Sequence, residues 1–323
     1  TAYRRAAVLA PDEAIVLRGL GTVHSDLNGF ELADRAYRRS ALLEPSAETT
    51  WNHSQLLIGL ERYDEGYALA EARWHLPGVQ HWRAPDAAAA RSPDDLRGPL
   101  LVWSEQGFGD SLQHLRWLGC VQELRGVGAQ PLILEVEAAL AALLREALPS
   151  GCAGGVRIQE KTVAGPGPWS GRHCSLLSLP WLLGGAPIPE GASWLKADHW
   201  ATPGKLRAGR PRIGLVWAAG HKLDDPVTAR EYRRRSLDAE ALGALICGMD
   251  LVISVDTSMA HLVGAMRRPG WVLLPFSAAP RWLRHRQDSP WYPSLRLFRQ
   301  PGSAAWGPVI VAVLEALSQG PPW

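Results

Sequence analysis

Leu251-Val-Ile-Ser-Val-Asp-Thr-Ser-Met-Ala-His-Leu-Val-Gly-Ala265 decides the fold: an apolar run reads as a buried strand, stops at Asp256, and passes at once into helix-starting residues. A parallel strand feeding directly into a helix sets polar groups and free backbone N–H groups at the carboxyl edge of a sheet. Open α/β folds bind ligands at that edge. Such a turn suits a diphosphate.

Working outward, the same grammar recurs. Pro99-Leu-Leu-Val-Trp103 is a short apolar strand, followed by Ser104-Glu-Gln-Gly-Phe-Gly-Asp-Ser111 and then Leu112, Leu115, Trp117 and Leu118 at helical spacing. A second strand at Pro131-Leu-Ile-Leu-Glu-Val136 leads into an alanine- and leucine-rich helix, and Cys174-Ser-Leu-Leu-Ser-Leu179 reads as another buried segment. The pattern restarts at Pro211-Arg-Ile-Gly-Leu-Val-Trp217, with further strands at Leu251 to Val255, Gly270 to Leu274 and Leu295 to Phe298, and a last amphipathic helix near Val309 to Leu317. This βα alternation predicts mostly parallel sheets, best divided into two doubly wound halves with a cleft between them. The expected bounds are 99–205 and 206–323.

Upstream the period changes. Ala2-Tyr-Arg-Arg-Ala-Ala-Val-Leu-Ala-Pro11 matches Ala36-Tyr-Arg-Arg-Ser-Ala-Leu-Leu-Glu-Pro45 at a spacing of 34 residues, the period of helix-turn-helix solenoids. Leu17, Leu20, Gly21 and His24 fall on one helical face, and Phe30, Ala33, Tyr37 and Ser40 continue it on a second helix, with small residues allowing close approach. Residues 1–74 are therefore expected to form α-helical repeats, which either bind a partner in a concave groove or cap the next domain. Residues 75–98, rich in Pro, Ala and Asp, read as a surface linker. Because the sequence opens inside a repeat, the chain is expected to continue upstream.

Composition narrows the function classes. Hydrophobic content of 46% and charged content of 20% describe a folded chain, and a net charge of +2 gives no case for nucleic acid. The run Arg233-Arg-Arg235 is local and reads first as a solvated loop. Cys120, Cys152, Cys174 and Cys247 are scattered without metal-ligand spacing, as expected of reduced thiols in a cytoplasmic protein. The sequence opens on no apolar signal region, and no stretch of it approaches the length of a membrane span.

Several residues could carry chemistry. Gly107 and Gly109 let backbone approach a ligand, and Asp110 beside them either acts as a general base toward a hydroxyl or caps the following helix; spacing alone favours the cap. In the second half, His221 and Lys222 follow the strand ending at Trp217, where a lysine can neutralise a leaving diphosphate. Thr257 and Ser258 offer hydroxyls and helix-start N–H groups to phosphate, whereas Asp256 would repel phosphate and better orients the loop or a sugar hydroxyl. His261, one turn in, is either a neutral hydrogen-bonding group or a packed histidine. Arg281-Trp282 and Asp288-Ser-Pro-Trp-Tyr-Pro293 either stack a ligand ring or pack a loop on the core. Asp224-Asp225 lack further ligands, so no metal is expected.

Together, Trp103-Ser-Glu-Gln-Gly-Phe-Gly-Asp-Ser-Leu-Gln113, Gly214-Leu-Val-Trp217, Ser254-Val-Asp-Thr-Ser-Met-Ala-His-Leu262 and Asp288-Ser-Pro-Trp-Tyr-Pro-Ser-Leu-Arg-Leu-Phe-Arg299 resemble bacterial tetratricopeptide-repeat glycosyltransferases related to the lipopolysaccharide heptosyltransferases. That resemblance covers nearly the whole chain. It implies a GT-B fold, two Rossmann-like domains after a tetratricopeptide-like segment, and metal-independent sugar transfer from a nucleotide-sugar donor without a cofactor. On it, Asp110 matches the candidate base, Lys222 a phosphate-facing lysine, and Asp256, Thr257, Ser258 and His261 the donor-binding turn. The acceptor is expected to be a glycan, a lipid-linked glycan or a protein, met in part by the repeats.

One departure stands out. Between the strand ending at Trp217 and the strand starting at Leu251 only one crossover fits, with a helix around Leu237 to Leu245, whereas relatives usually carry an additional strand and helix. A shortened donor half leaves a second reading: a non-catalytic interaction protein built on a degenerate transferase scaffold.

Overall fold

The computed structural model describes residues 2–84, 86–126, 128–130, 132–148, 155–185, 195, 211–217 and 239–320. Lys222, His221, Asp224-Asp225, Arg233–Arg235 and Cys152 lie outside them.

Five helices come first: α1 (Ala2–Leu9), α2 (Ala14–Asp26), α3 (Phe30–Leu43), α4 (Ala47–Gly59) and α5 (Tyr63–Ala70), followed by a 3₁₀ turn at Glu71–His75. The predicted face of α3 is the buried one, since Phe30, Ala33, Tyr37 and Ser40 are all inaccessible. Close packing explains the small residues: a Cβ on Gly21 would lie 2.6 Å from the Tyr37 ring, and Ser40 Oγ donates to the Ala14 carbonyl at 2.8 Å. At α4 the Ser46 hydroxyl accepts the Thr49 N–H and satisfies a first-turn donor.

Two four-stranded parallel sheets follow. The first contains β1 (Leu100–Trp103), β2 (Leu132–Val136), β3 (Val156–Glu160) and β4 (Arg172–Ser175), in the order β3-β2-β1-β4. Its central strands are wholly buried and apolar except for Glu135, as a sheet covered on both faces requires. The order reverses between β1 and β4, so their carboxyl ends splay into a crevice where the loop 104–107 begins. Helices α6 (Phe108–His114) and α7 (Trp117–Arg125) follow β1, α8 (Ala138–Ala147) follows β2, and a short α9 (Leu179–Leu182) follows β4.

The second sheet contains β5 (Ile213–Val216), β6 (Leu251–Val255), β7 (Gly270–Leu274) and β8 (Leu295–Arg299) in the order β5-β6-β7-β8. Ile213 pairs with Leu251, so the first and second strands of this half are direct neighbours. Its described strands therefore wind in one direction, with no reversal like that of the first sheet; the short connection allows a single crossover and no more. Helix α10 (Ala239–Cys247) belongs to that crossover, α11 (Ser258–Ala265) joins β6 to β7, and α12 (Trp306–Ser318) closes the chain against Leu251, Ile253, Trp271 and Phe298.

Residues 75–98 are more than a surface linker. Arg83, Ala90 and Leu96 are buried, and Ala89 bridges His173 beside β4. Burial of Glu135 on β2 depends on this stretch: Arg83 gives its carboxylate hydrogen bonds of 3.0 and 3.1 Å, Trp82 one of 2.6 Å, and Gln159 one of 3.0 Å. A carboxylate with so many donors can stay buried where a lone one could not.

The helices at the start touch both sheets. Arg73, itself buried, donates to Glu105 and to Ser178 Oγ in the first half. Ser277 bonds Asp26 at 2.7 Å, Arg286 bonds Glu61, and Gly59 packs against Pro280 in the second half. Between them an aromatic seam runs through Tyr67, Trp117 and Trp291, with centroids 6.0 and 5.7 Å apart from pair to pair. Arg116 crosses the same seam, bonding the Trp291 carbonyl at 2.6 Å and lying over the Trp291 and Tyr292 rings. Buried aromatic pairs of this kind add about 0.5–1.5 kcal/mol each beyond their area.

Candidate functional site

The loop after β1 turns sharply. Gln106 holds a left-handed φ of 63°, unusual for a residue with a side chain, and Gly107 then opens α6. Asp110 occupies the third helical position and accepts the Gly107 N–H through Oδ2 at 3.1 Å, which is the helix-capping role open to it. Its other oxygen does something else. Oδ1 pairs with Arg281 Nη1 of the second half at 2.7 Å. Capping and cleft roles coexist in one carboxylate.

Gly109 makes the junction between the halves. It is buried, and a Cβ there would come within 2.7 Å of His261 Cδ2 on α11. Only hydrogen at this position lets α6 and α11 approach so closely. His261 is 1% exposed and hydrogen bonded to Tyr292 Oη at 2.9 Å through Nδ1. Arg281 has only donors to give, so its 3.5 Å contact falls on a bare Nε2 and the proton sits on Nδ1. Burial first, and then the charges of Arg281 and Arg116, hold this imidazole well below the ordinary histidine range and neutral. His261 is packed and hydrogen bonded, and in the aromatic tail Trp282, Trp291 and Tyr292 are all buried.

One turn before His261 lies the rest of the motif. Thr257 is the N-cap of α11 but supplies no side-chain cap; its hydroxyl lies 3.2 Å from Ser254 Oγ. Asp256 and Ser258 make no side-chain hydrogen bond to any described residue, and Ser258 is exposed. Among the described residues no side chain caps the first turn of α11, whose Ala260 N–H bonds the Thr257 carbonyl at 3.1 Å. The structure brings Gly107, Gly109, Asp110 and His261 together and leaves Asp256, Thr257 and Ser258 at the far end of the same helix; His221 and Lys222 are outside the described residues.

A cleft of about 560 Å³, its open mouth included, lies over α6. All three parts of the chain wall it: Trp51 and Gln55 from α4, Asp110, Gln113 and His114 from α6, and Arg281 from the second half. Gln113 and His114 carry no motif of their own, but they stand three and four residues after Asp110 and so share its helical face. That spacing could have found them. His114 gives its Nδ1–H to the Asp110 carbonyl at 2.8 Å, and burial pushes its pKa down to about 4. Arg281 and Glu105 had no comparable signal, since their partners are 171 and 32 residues away in sequence.

Among the described residues no three His, Cys, Asp or Glu side chains are grouped to hold a metal ion, and no helix is long and apolar enough to cross a membrane. Cys120, Cys174 and Cys247 are free thiols.

No family model matches the chain. It is similar to the protein FlbA of Caulobacter vibrioides, at 25% identity over 390 aligned positions that take in 96% of this chain and 62% of FlbA. The chain thus spans about three fifths of that relative's length. An alignment of 390 positions exceeds the 323 residues present, so FlbA carries stretches with no counterpart here. Among solved structures it is similar to a lysine-to-methionine mutant of the Thermobaculum terrenum O-GlcNAc transferase, at 15% identity and a TM-score of 0.22, over 86% of this chain and 79% of that one. A superposition that loose carries no argument about chemistry.

Proposed function

We propose that the chain is a GT-B-type glycosyltransferase, transferring a sugar from a nucleotide-sugar donor to an acceptor hydroxyl. In this reading residues 1–74 are tetratricopeptide-like repeats, 75–98 a connecting stretch, 99–205 the acceptor-side domain and 206–323 the donor-side domain. One observation carries it. The helix after the glycine loop of β1 and the helix after β6 meet at Gly109 and His261, so the elements leaving the carboxyl edges of the two parallel sheets pack against each other.

Asp110 takes the acceptor proton as its oxygen attacks the anomeric carbon. The bond from that carbon to the diphosphate breaks with its electron pair, and Lys222 and the Thr257/Ser258 helix start receive the departing charge. Arg281, now on Asp110 Oδ1, has to yield or share that oxygen first. Gly107 and Gly109 keep side chains out of the path, and His261 holds α11 against α6. His221 and Asp256 are assigned to the donor. The intact chain should bind at least one nucleotide sugar in a thermal-shift panel and hydrolyse it slowly, with hydrolysis lost in Asp110→Ala and Lys222→Ala. Failure to bind any donor overturns the reading.

A second reading, a non-catalytic interaction protein, is favoured by one feature: both Asp110 oxygens are already bonded, to Gly107 and to Arg281. Its mark would be partner capture by the intact chain that survives Asp110→Ala, together with no turnover of any donor.

A further inference from the structure

Gln113 is 3% exposed, lines the cleft, and its side-chain amide makes no hydrogen bond to any described residue. Neither atom of that amide is sealed from solvent, so both open onto the cleft, where a ligand can meet them. His114 beside it is 9% exposed, with its proton committed at Nδ1 to the Asp110 carbonyl; Nε2 keeps a lone pair that no described residue uses. The desolvation that lowers its pKa to about 4 keeps the ring neutral near pH 7. Two unsatisfied polar groups, a donor–acceptor amide and a pure acceptor, therefore stand on the Asp110 face of α6.

The charges around them cancel. Asp110 is paired with Arg281 at 2.7 Å, and Arg73 is held by Glu105 at 3.0 Å. A charged ligand would find no unopposed counter-charge on these walls, whereas a purely apolar one would leave the Gln113 amide dry. The remaining walls include the Trp51 and Tyr67 rings and Leu177, surfaces for the C–H faces of a small ring.

We propose that Gln113 and His114 set acceptor specificity: the cleft over α6 takes a neutral, hydroxyl-bearing sugar ring, with the Gln113 amide and His114 Nε2 each bonding a hydroxyl beside Asp110. This rests on the glycosyltransferase reading and adds to it the acceptor's charge and class. A carboxylated or phosphorylated ring is disfavoured because only Arg281 and Arg73, both already paired, could meet its charge.

Saturation-transfer NMR on the intact chain tests it with methyl glucoside, methyl galactoside and N-acetylglucosamine as neutral rings, and with glucuronate and inorganic phosphate as charged probes. At least one neutral ring should give transfer, and Gln113→Leu and His114→Phe should each cut that signal at least fivefold. The melting temperature supplies an independent readout. Because the amide bonds no described residue, Gln113→Leu should leave it within roughly 2 °C of the parent. A larger fall on Gln113→Leu would give the amide a structural role and overturn the proposal; so would charged probes binding better than every neutral ring, or neutral binding indifferent to both substitutions. Donor binding by the unsubstituted chain is read separately: if donors bind and no neutral ring does, this inference fails alone, and if no donor binds, the transferase reading fails.

Discussion

Gly109→Ala tests the junction between the two halves. The new methyl carbon would start 2.7 Å from His261 Cδ2, where ordinary contacts begin near 3.4 Å, so something has to move by about 0.7 Å. His261 cannot give easily. It is 1% exposed, bonded to Tyr292 at 2.9 Å, and its ring lies 5.2 Å from that of Trp282. Overpacking a filled site costs about 1–3 kcal/mol, while alanine in a helix regains about 0.5–1 kcal/mol over glycine. The two terms oppose each other, and packing should win by about 1–2 kcal/mol. Urea denaturation followed by tryptophan fluorescence would read this as a lower midpoint. A double-mutant cycle isolates the cause: His261→Ala is destabilising alone, but in its background the methyl fits the vacated space and Gly109→Ala should cost nothing. A coupling of about 1–2 kcal/mol is expected, and additivity within about 0.5 kcal/mol would refute the contact. So would a Gly109→Ala protein more stable than the parent.

Three further outcomes follow from the same geometry. Arg281→Met removes the partner of Asp110 from a half-buried pair, so stability should fall by about 1 kcal/mol at low salt, and a gap that does not narrow at high salt would contradict an ionic origin. His114 and His261 are neutral in the fold but titrate near 6.5 when unfolded, so the unfolded chain binds more protons as pH falls. Their contribution is complete above about pH 6.5 and is lost toward pH 4; His114→Phe should flatten that part of the midpoint-against-pH curve, and a parallel curve would count against a buried neutral ring. Arg83→Met strands the buried Glu135 carboxylate with Trp82 and Gln159 alone, a loss of about 3–5 kcal/mol with earlier proteolysis within residues 75–98, whereas an unchanged cleavage rate would place the anchor elsewhere.

The strands that sequence reveals best are those buried on both faces. Leu251–Val255 and Gly270–Leu274 coincide with β6 and β7, because a nearly continuous apolar run is what a central parallel strand demands. β3 was illegible for the opposite reason: Val156-Arg-Ile-Gln-Glu160 forms an edge strand with half-exposed and exposed residues, so no apolar run marks it. Helix periodicity at Phe30, Ala33, Tyr37 and Ser40 was equally plain. Within the site, the motif located Gly109, Asp110 and His261, but not that His261 is sealed or that Asp110 is already paired. Those facts belong to Tyr292 and Arg281, whose nearness is created by folding and leaves no trace in local spacing. The two doubly wound sheets expected from strand count alone become one with a reversal and one without, among the described strands.

The initial helices are bonded to the first half through Arg73 and to the second through Asp26 and Glu61. A third body fixed to both sides of a cleft works as a brace across a hinge. Two lobes so braced have little freedom to swing apart, and a ligand has to pass through the existing mouth. Severing the brace at its Asp26 or Glu61 end would loosen the second half while leaving the first intact, turning a rigid vestibule into an opening jaw.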